Sequence, residues 1–273
     1  MDFGLFSKES LFYFVDTIVL IVFAFFSPLF ILKDIISLEK KNMAFVIFKV
    51  TLIMFHQQES KIQSMISYLI FHGRQHMRKD QNPYHIWISE IMLQQTTTET
   101  VIPYYERFLE NFPTIEALAS ASLEEVYKMW EGLGYYRRAK HLHESAQIIV
   151  EKYQGKFPYE YNDILSLKGI GEYTAGAISS IAYGKQVPAV DGNVLRIISR
   201  YYLLKENIAE TKVQKKIYQI VQELILNQDA SAFNQGMMDL GATICKPVHP
   251  LCSRCPIQKE CLAFKNKQND KHA

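Results

Sequence analysis

Cysteine is scarce in this chain of 273 residues: there are four, and all fall between positions 245 and 261. A small scaffold stapled by disulfides spreads its cysteines along the chain, so that class is excluded, and a reducing compartment is favoured. An excess of charge is missing too. With 30 Lys and Arg against 28 Asp and Glu, the formal net charge is +2. No basic footprint covers the whole molecule, so any face that binds nucleic acid must be local. From Glu59 onward there is no convincing run of alternating apolar and polar residues, no low-complexity linker and no repeat, which leaves out strand-built and solenoid architectures. What is present, 48% hydrophobic residues, suffices to bury a core in one large domain or two small ones.

The first 53 residues stand apart, holding ten of the 17 phenylalanines. Leu11 to Leu32 is nearly all apolar, interrupted by Asp16, Ser27 and Pro28. Three readings are open: translation that begins at an internal methionine, Met43 or Met54; a membrane segment, since the stretch is long enough to span a bilayer; or a packed extension. The first is carried forward. A chain starting at Met54 is then expected to fold and act alone in the cytoplasm with the nucleoid, and membrane association is possible only through residues 11–32.

Beyond Glu59 the pattern is helical. Ser60 to Phe71 sets Ile62, Met65, Ile66 and Leu69 on one face. Tyr84 to Gln95 follows the Asn82-Pro83 turn signal. Thr114 and Ser122 are helix starts, Ser122 with Glu125 as a capping box, and Pro158 is expected to open a helix to Leu167. The fold class is all-α with short loops.

Four features carry chemistry. Leu167-Lys168-Gly169-Ile170-Gly171-Glu172-Tyr173 joins two helices through a tight hairpin whose exposed amides suit a phosphate; an ordinary helix–turn–helix is the commoner meaning of Gly-x-Gly. Cys245-x6-Cys252-x2-Cys255-x5-Cys261 places four thiolates within one short segment. A [4Fe–4S] cube takes four cysteines; zinc, which usually takes two C-x2-C pairs, is the alternative. Asp191 precedes Gly192, where a turn or cap is the usual role. Glu90 sits in the apolar run Ile86-Trp87-Ile88-Ser89-Glu90-Ile91-Met92-Leu93, where a carboxyl is expected to hold its proton near neutrality.

In this order, together with Gly132-Leu133-Gly134-Tyr135-Tyr136, Val190-Asp191-Gly192-Asn193-Val194 and Phe233-Asn234-Gln235-Gly236-Met237-Met238-Asp239-Leu240-Gly241, these segments resemble the endonuclease III superfamily of helix-hairpin-helix DNA glycosylases. Within it they resemble the A/G-specific adenine glycosylases, the MutY type, over about Glu59 to Phe264. The resemblance implies two helical lobes: a six-helix barrel over 80–191 that includes the hairpin, and a cluster lobe from 54–79 and 192–273. It implies a monomer that acts on mismatched double-stranded DNA, with a [4Fe–4S] cluster on Cys245, Cys252, Cys255 and Cys261. Glu90 would protonate adenine, and Asp191 would stabilise the cationic sugar with Asn193 and Tyr173 beside it. Gln235 and Arg78 would serve base recognition. Gln95 and Tyr135 would wedge into the duplex, while Lys168, Gly169 and Gly171 would meet the backbone, as would Tyr136, Arg137 and Arg138. Tyr173 stands where the lyases of this superfamily carry a lysine, so little strand cleavage is expected.

Three departures accompany the resemblance. Arg74-Gln75-His76-Met77-Arg78 lacks the Leu-Pro-Trp that usually precedes the catalytic helix. The chain ends at Ala273, so the domain that reads 8-oxoguanine is expected to be absent. The apolar N-terminus is foreign to the family. Two further functions are weighed: a T:G mismatch glycosylase, and a DNA-binding remnant with impaired catalysis.

Overall fold

A computed structural model describes residues 80–268 of the chain. The expectations for 11–32, Met43, Met54, the 60–71 helix and Arg74 to Arg78 lie outside these residues. The described part is helical, with no strand in it, in keeping with the expected all-α class. Among the described residues no helix is long and apolar enough to cross a membrane.

Helix α1 (Pro83–Leu93) starts where Asn82 accepts the Tyr84 amide and Pro83 takes the first turn, a position where its missing N–H costs nothing. Tyr84, Ile86, Trp87, Ile88, Ile91 and Met92 are all buried. A helix apolar on every side belongs inside a core, and α1 is the central element of the first one. Around it lie α2 (Thr98–Asn111), α3 (Ile115–Ser120), α4 (Leu123–Trp130), α5 (Arg137–Tyr153), α6 (Tyr161–Leu165) and α7 (Glu172–Tyr183). Thr114 caps α3 through the Ala117 amide, and Ser122 with Glu125 forms the expected capping box of α4. Gly184, in the left-handed conformation, ends α7.

Asp191 then starts α8 (Gly192–Tyr202), followed by α9 (Thr211–Ile225), α10 (Ala230–Thr243), a 3-10 turn at Cys252–Arg254 and α11 (Leu262–Lys265). A second core gathers Val194, Ile197, Ile217, Val221, Phe233 and Leu240. Helix α7 packs on both α1 and α10, so it brings residues of the two cores together.

Two boundaries differ from expectation. Helix α1 stops at Leu93 because Gln94 leaves the helical region at ψ 112°, and Gln95 follows with a φ of +59°. Pro158 opens no helix; α6 begins only at Tyr161. The intervening residues are held by contacts to the end of α7: the Tyr159 ring packs edge-on to Tyr183 at 5.0 Å, and Lys185 lies 3.7 Å over Tyr159 and 3.1 Å from Glu160.

Close approach to the loop before Asp191 requires Gly176 of α7. A Cβ there would run into the Pro188 carbonyl oxygen and sit 2.9 Å from its carbon. Backbone cannot yield as a flexible side-chain tip does. Gly176→Ala should therefore lower stability by about 1–3 kcal/mol, read as a fall in the urea midpoint with an unchanged m-value.

Candidate functional site

The hairpin enters α7 through Gly169, at φ +78°. Ser145 of α5 donates to the Lys168 carbonyl at 3.2 Å, which fixes the turn against the first core. Lys168 itself, expected at phosphates, has its ammonium 3.0 Å from Glu144. The turn delivers Tyr173 in the first turn of α7, and its hydroxyl donates to Glu90 Oε2 at 2.8 Å. Sequence reasoning set Tyr173 beside Asp191, whose charge does act on it; its hydrogen bond goes to Glu90, because α7 packs directly on α1. Burial pushes the Tyr173 hydroxyl well above its ordinary range, with the charges of Glu90 and Asp191 adding to it. It is therefore a neutral donor.

Glu90 is 8% exposed. Burial raises its carboxyl to about 7; the Tyr173 hydrogen bond opposes the rise and the charge of Asp191 adds to it. Asp191 caps α8: its Oδ1 accepts the Val194 amide at 2.8 Å, and its Oδ2 accepts Asn193 Nδ2 at 2.7 Å. The site thus pairs a carboxyl that holds its proton near neutrality with a second carboxyl at a helix N-terminus, where amide dipoles face the oxygens.

Supporting residues that sequence reasoning missed surround the pair. Arg196 Nη2 donates to Asn193 Oδ1 at 2.8 Å and to the Gly241 carbonyl at 2.9 Å, while its Nε donates to the Cys245 carbonyl at 2.8 Å. The buried Asn234 side chain accepts the Ala189 amide at 3.1 Å and donates to Ser180 Oγ and the Val187 carbonyl, both at 2.9 Å. Met238 Sδ lies 3.5 Å from the Tyr173 hydroxyl. Met238 is three residues from Gln235 on α10, and i, i+3 positions share a helix face; that spacing was the available signal. Gln235 donates to Ser231 Oγ at 2.9 Å.

Gln95 and Tyr135 line one groove of about 400 Å³ with Arg137, Arg138, His141 and Gly169. Tyr135 is 63% exposed. Arg138, expected at phosphates, points inward and donates to the carbonyls of Ile91, Met92 and Gln94. Arg137 reaches His141 at 3.4 Å, and Tyr136 packs edge-on to Tyr127.

The four cysteines line one small pocket with Ile197, Leu240, Ile244 and Phe264, and none is in a disulfide. Arg200 donates from Nη1 to Cys245 Sγ at 3.5 Å and holds the loop through the carbonyls of Lys246 and Pro247 at 2.6 and 2.8 Å. Its buried Nε has no partner. Soft donors in an apolar pocket with a cation beside them fit an anionic thiolate-bound cluster.

The family described as HhH-GPD superfamily base excision DNA repair protein matches residues 88–223. The adenine DNA glycosylase of Buchnera aphidicola subsp. Acyrthosiphon pisum is 47% identical over 189 residues, 69% of this chain and 54% of that protein. The chain belongs to the HhH-GPD superfamily. The human adenine DNA glycosylase is 44% identical over 188 residues, 68% of this chain and 34% of that protein. The chain thus spans about half the length of the bacterial relative and a third of the human one. A solved thermostable thymine-DNA glycosylase superposes with a TM-score of 0.70 at 28% identity, covering 77% of this chain and 98% of that one. An endonuclease III–DNA complex, at 23% identity and a TM-score of 0.62, shares the fold. The two carboxylates and Tyr173 therefore stand in an HhH-GPD fold, with the hairpin leading into α7.

Proposed function

We propose that this HhH-GPD protein removes adenine mispaired with guanine or 8-oxoguanine from double-stranded DNA, by hydrolysis of the N-glycosidic bond. The observation that carries the reading is the buried Glu90–Tyr173 pair beside Asp191. A base inside the duplex is out of reach, so the nucleotide is flipped out between the two lobes. Glu90 then gives its proton to the adenine ring, which makes the base a leaving group. The bond breaks through an oxocarbenium-like state, as in sugar hydrolysis. Asp191, fixed by Asn193 and the Val194 amide, stabilises that cation by charge or by a transient covalent bond. Tyr173 offers a hydroxyl where a lyase would present an amine, so the sugar is not attacked by lysine. Gln235 reads the adenine edge, since an amide both donates and accepts, while Gln95 and Tyr135 wedge into the gap left in the stack. The relatives named adenine DNA glycosylase support adenine over thymine, as does Glu90: an acid at this place serves a purine ring nitrogen.

The four cysteines would hold a [4Fe–4S] cluster. The four cysteines line one pocket, and their spacing, with a single C-x2-C unit flanked by gaps of six and five residues, suits a cluster better than the paired C-x2-C units usual for zinc. When bound, the cluster supplies a rigid frame for the Cys245–Cys252 loop, with Lys246 near DNA phosphates, and no chemistry on the base. Purified protein should be yellow-brown with about four iron per chain; stoichiometric zinc without iron would overturn this.

Single-turnover assays on A:G, A:8-oxoguanine and T:G duplexes test the function. Adenine should be released opposite guanine or 8-oxoguanine, thymine should not, and the strand should break only after alkali. Thymine release without adenine release, or a borohydride-trapped enzyme–DNA adduct, refutes the reading.

A further inference from the structure

Arg138 follows three exposed residues, Tyr135, Tyr136 and Arg137, yet its guanidinium is spent inside the protein. Nη1 donates to the carbonyls of Ile91, Met92 and Gln94 at 2.9, 2.8 and 2.6 Å. Nη2 donates to the carbonyls of Gly134 and Leu133 at 3.2 and 3.4 Å, and to Thr96 Oγ1 at 3.4 Å. These acceptors belong to two separate turns. One ends α1 and carries Gln95 at φ +59°; the other joins α4 to α5 and carries Tyr135 at φ +50°. Residues with side chains rarely adopt that conformation, so both turns need an external restraint. The end of α1 supplies two long bonds of its own: Thr96 N to Leu93 O at 3.3 Å and Thr96 Oγ1 to Gln94 O at 3.4 Å. The guanidinium also lies 5.4 Å over Trp130 and 5.5 Å over Tyr135, and the Trp130 indole donates to the same Gly134 carbonyl at 3.0 Å.

We propose that Arg138 is a positioning residue that clamps these two turns together, so that Gln95 and Tyr135 meet the duplex as one rigid pair and extract the target base efficiently. This rests on the reading of Gln95 and Tyr135 as wedges. The planar fork suits the task, because Nη1 serves the carbonyls at the end of α1 while Nη2 reaches the Leu133 and Gly134 carbonyls of the other turn together with Thr96. A lysine ammonium has three donors on one atom and cannot replace the two terminal nitrogens that meet five carbonyls and the Thr96 hydroxyl.

The test uses the full chain with Arg138→Lys, Arg138→Met, Gln95→Ala, Tyr135→Ala and the Arg138→Lys/Tyr135→Ala double variant. Base extraction is read as the fluorescence rise of 2-aminopurine at the target position, alongside single-turnover rate, its pH profile and duplex affinity. Arg138→Lys should lose the fluorescence rise and about a hundredfold in rate, the size expected for a misplacement of about 1 Å. Its pH midpoint should stay where the wild type's is, and the double variant should lose no more than Arg138→Lys alone, since clamp and wedge act as a unit. Retained fluorescence in Arg138→Lys, or additive losses in the double variant, overturns the clamp. So does a moved pH midpoint, which would place the effect of Arg138 on Glu90 through α1. If Gln95→Ala and Tyr135→Ala both leave fluorescence and rate unchanged, the wedge reading itself fails and takes the clamp with it. Should Arg138→Met lose its helical circular dichroism, Arg138→Lys decides.

Discussion

Glu90→Gln should reduce adenine release by about 10²–10⁴-fold, the usual contribution of a general acid, while duplex affinity is kept. The amide fills the same space and accepts the Tyr173 hydroxyl as the carboxyl does, but has no acidic proton to give. The wild-type rate should follow the protonated fraction of Glu90. It should be flat below about pH 6 and fall about tenfold per pH unit once the pH passes the raised value of about 7. Stability should show the opposite benefit. A carboxyl raised from 4.5 to about 7 by burial contributes stability that is complete below pH 4.5 and lost as pH rises through about 7. The loss is on the order of 3 kcal/mol once the group is ionised in both states. Glu90→Gln removes it, so the variant should melt above the wild type at pH 8–9 and close to it near pH 4.5. A near-wild-type single-turnover rate in Glu90→Gln would remove Glu90 from the chemistry. A melting curve at pH 9 below that of the wild type would show that its burial is not under strain.

Asp191→Asn should be comparably damaging to the rate, by at least about a hundredfold, because it removes the negative charge that faces the developing sugar cation. The variant should still fold. Asparagine is as good a helix N-cap as aspartate, so α8 keeps its start. One contact is lost: Asp191 has an oxygen each for the Val194 amide and for Asn193, and an amide has only one. That mismatch should cost about 1–2 kcal/mol. Duplex affinity should be equal or higher, since a negative charge has been withdrawn from the DNA side. Base release at the wild-type rate would sink the role of Asp191; loss of helical signal would show that its cap role dominates.

What was legible in the sequence was local. Asn82-Pro83, Thr114 and the Ser122–Glu125 box act within a single turn, and they start α1, α3 and α4 as read. Glu90 announced itself because a carboxyl among Ile86, Trp87, Ile88, Ile91 and Met92 has no solvated face to occupy. Long-range pairings were not legible. Arg138 finds its α1 carbonyls 44 to 47 positions away, and from sequence alone Tyr136-Arg137-Arg138 reads as a solvated or phosphate-facing stretch. The hydrogen bond from Tyr173 to Glu90 was not legible for the same reason: it depends on which helix α7 packs against. Pro158 failed as a helix start because Tyr159 and Glu160 are drawn to Tyr183 and Lys185, contacts that no turn rule contains.

The Asn234 side chain holds the loop ahead of Asp191 by two hydrogen bonds, to Ala189 and Val187, and ties it to α7 by a third, to Ser180. Synthesis runs from the N-terminus, so Glu90, Tyr173 and Asp191 all leave the ribosome before this amide does. A nascent chain that has emerged only to Tyr202 therefore carries Glu90, Tyr173 and Asp191, but not the amide that ties the loop before Asp191 to α10. On the proposed reading, competence to remove a base is expected only once α10 has packed onto α7 and the loop.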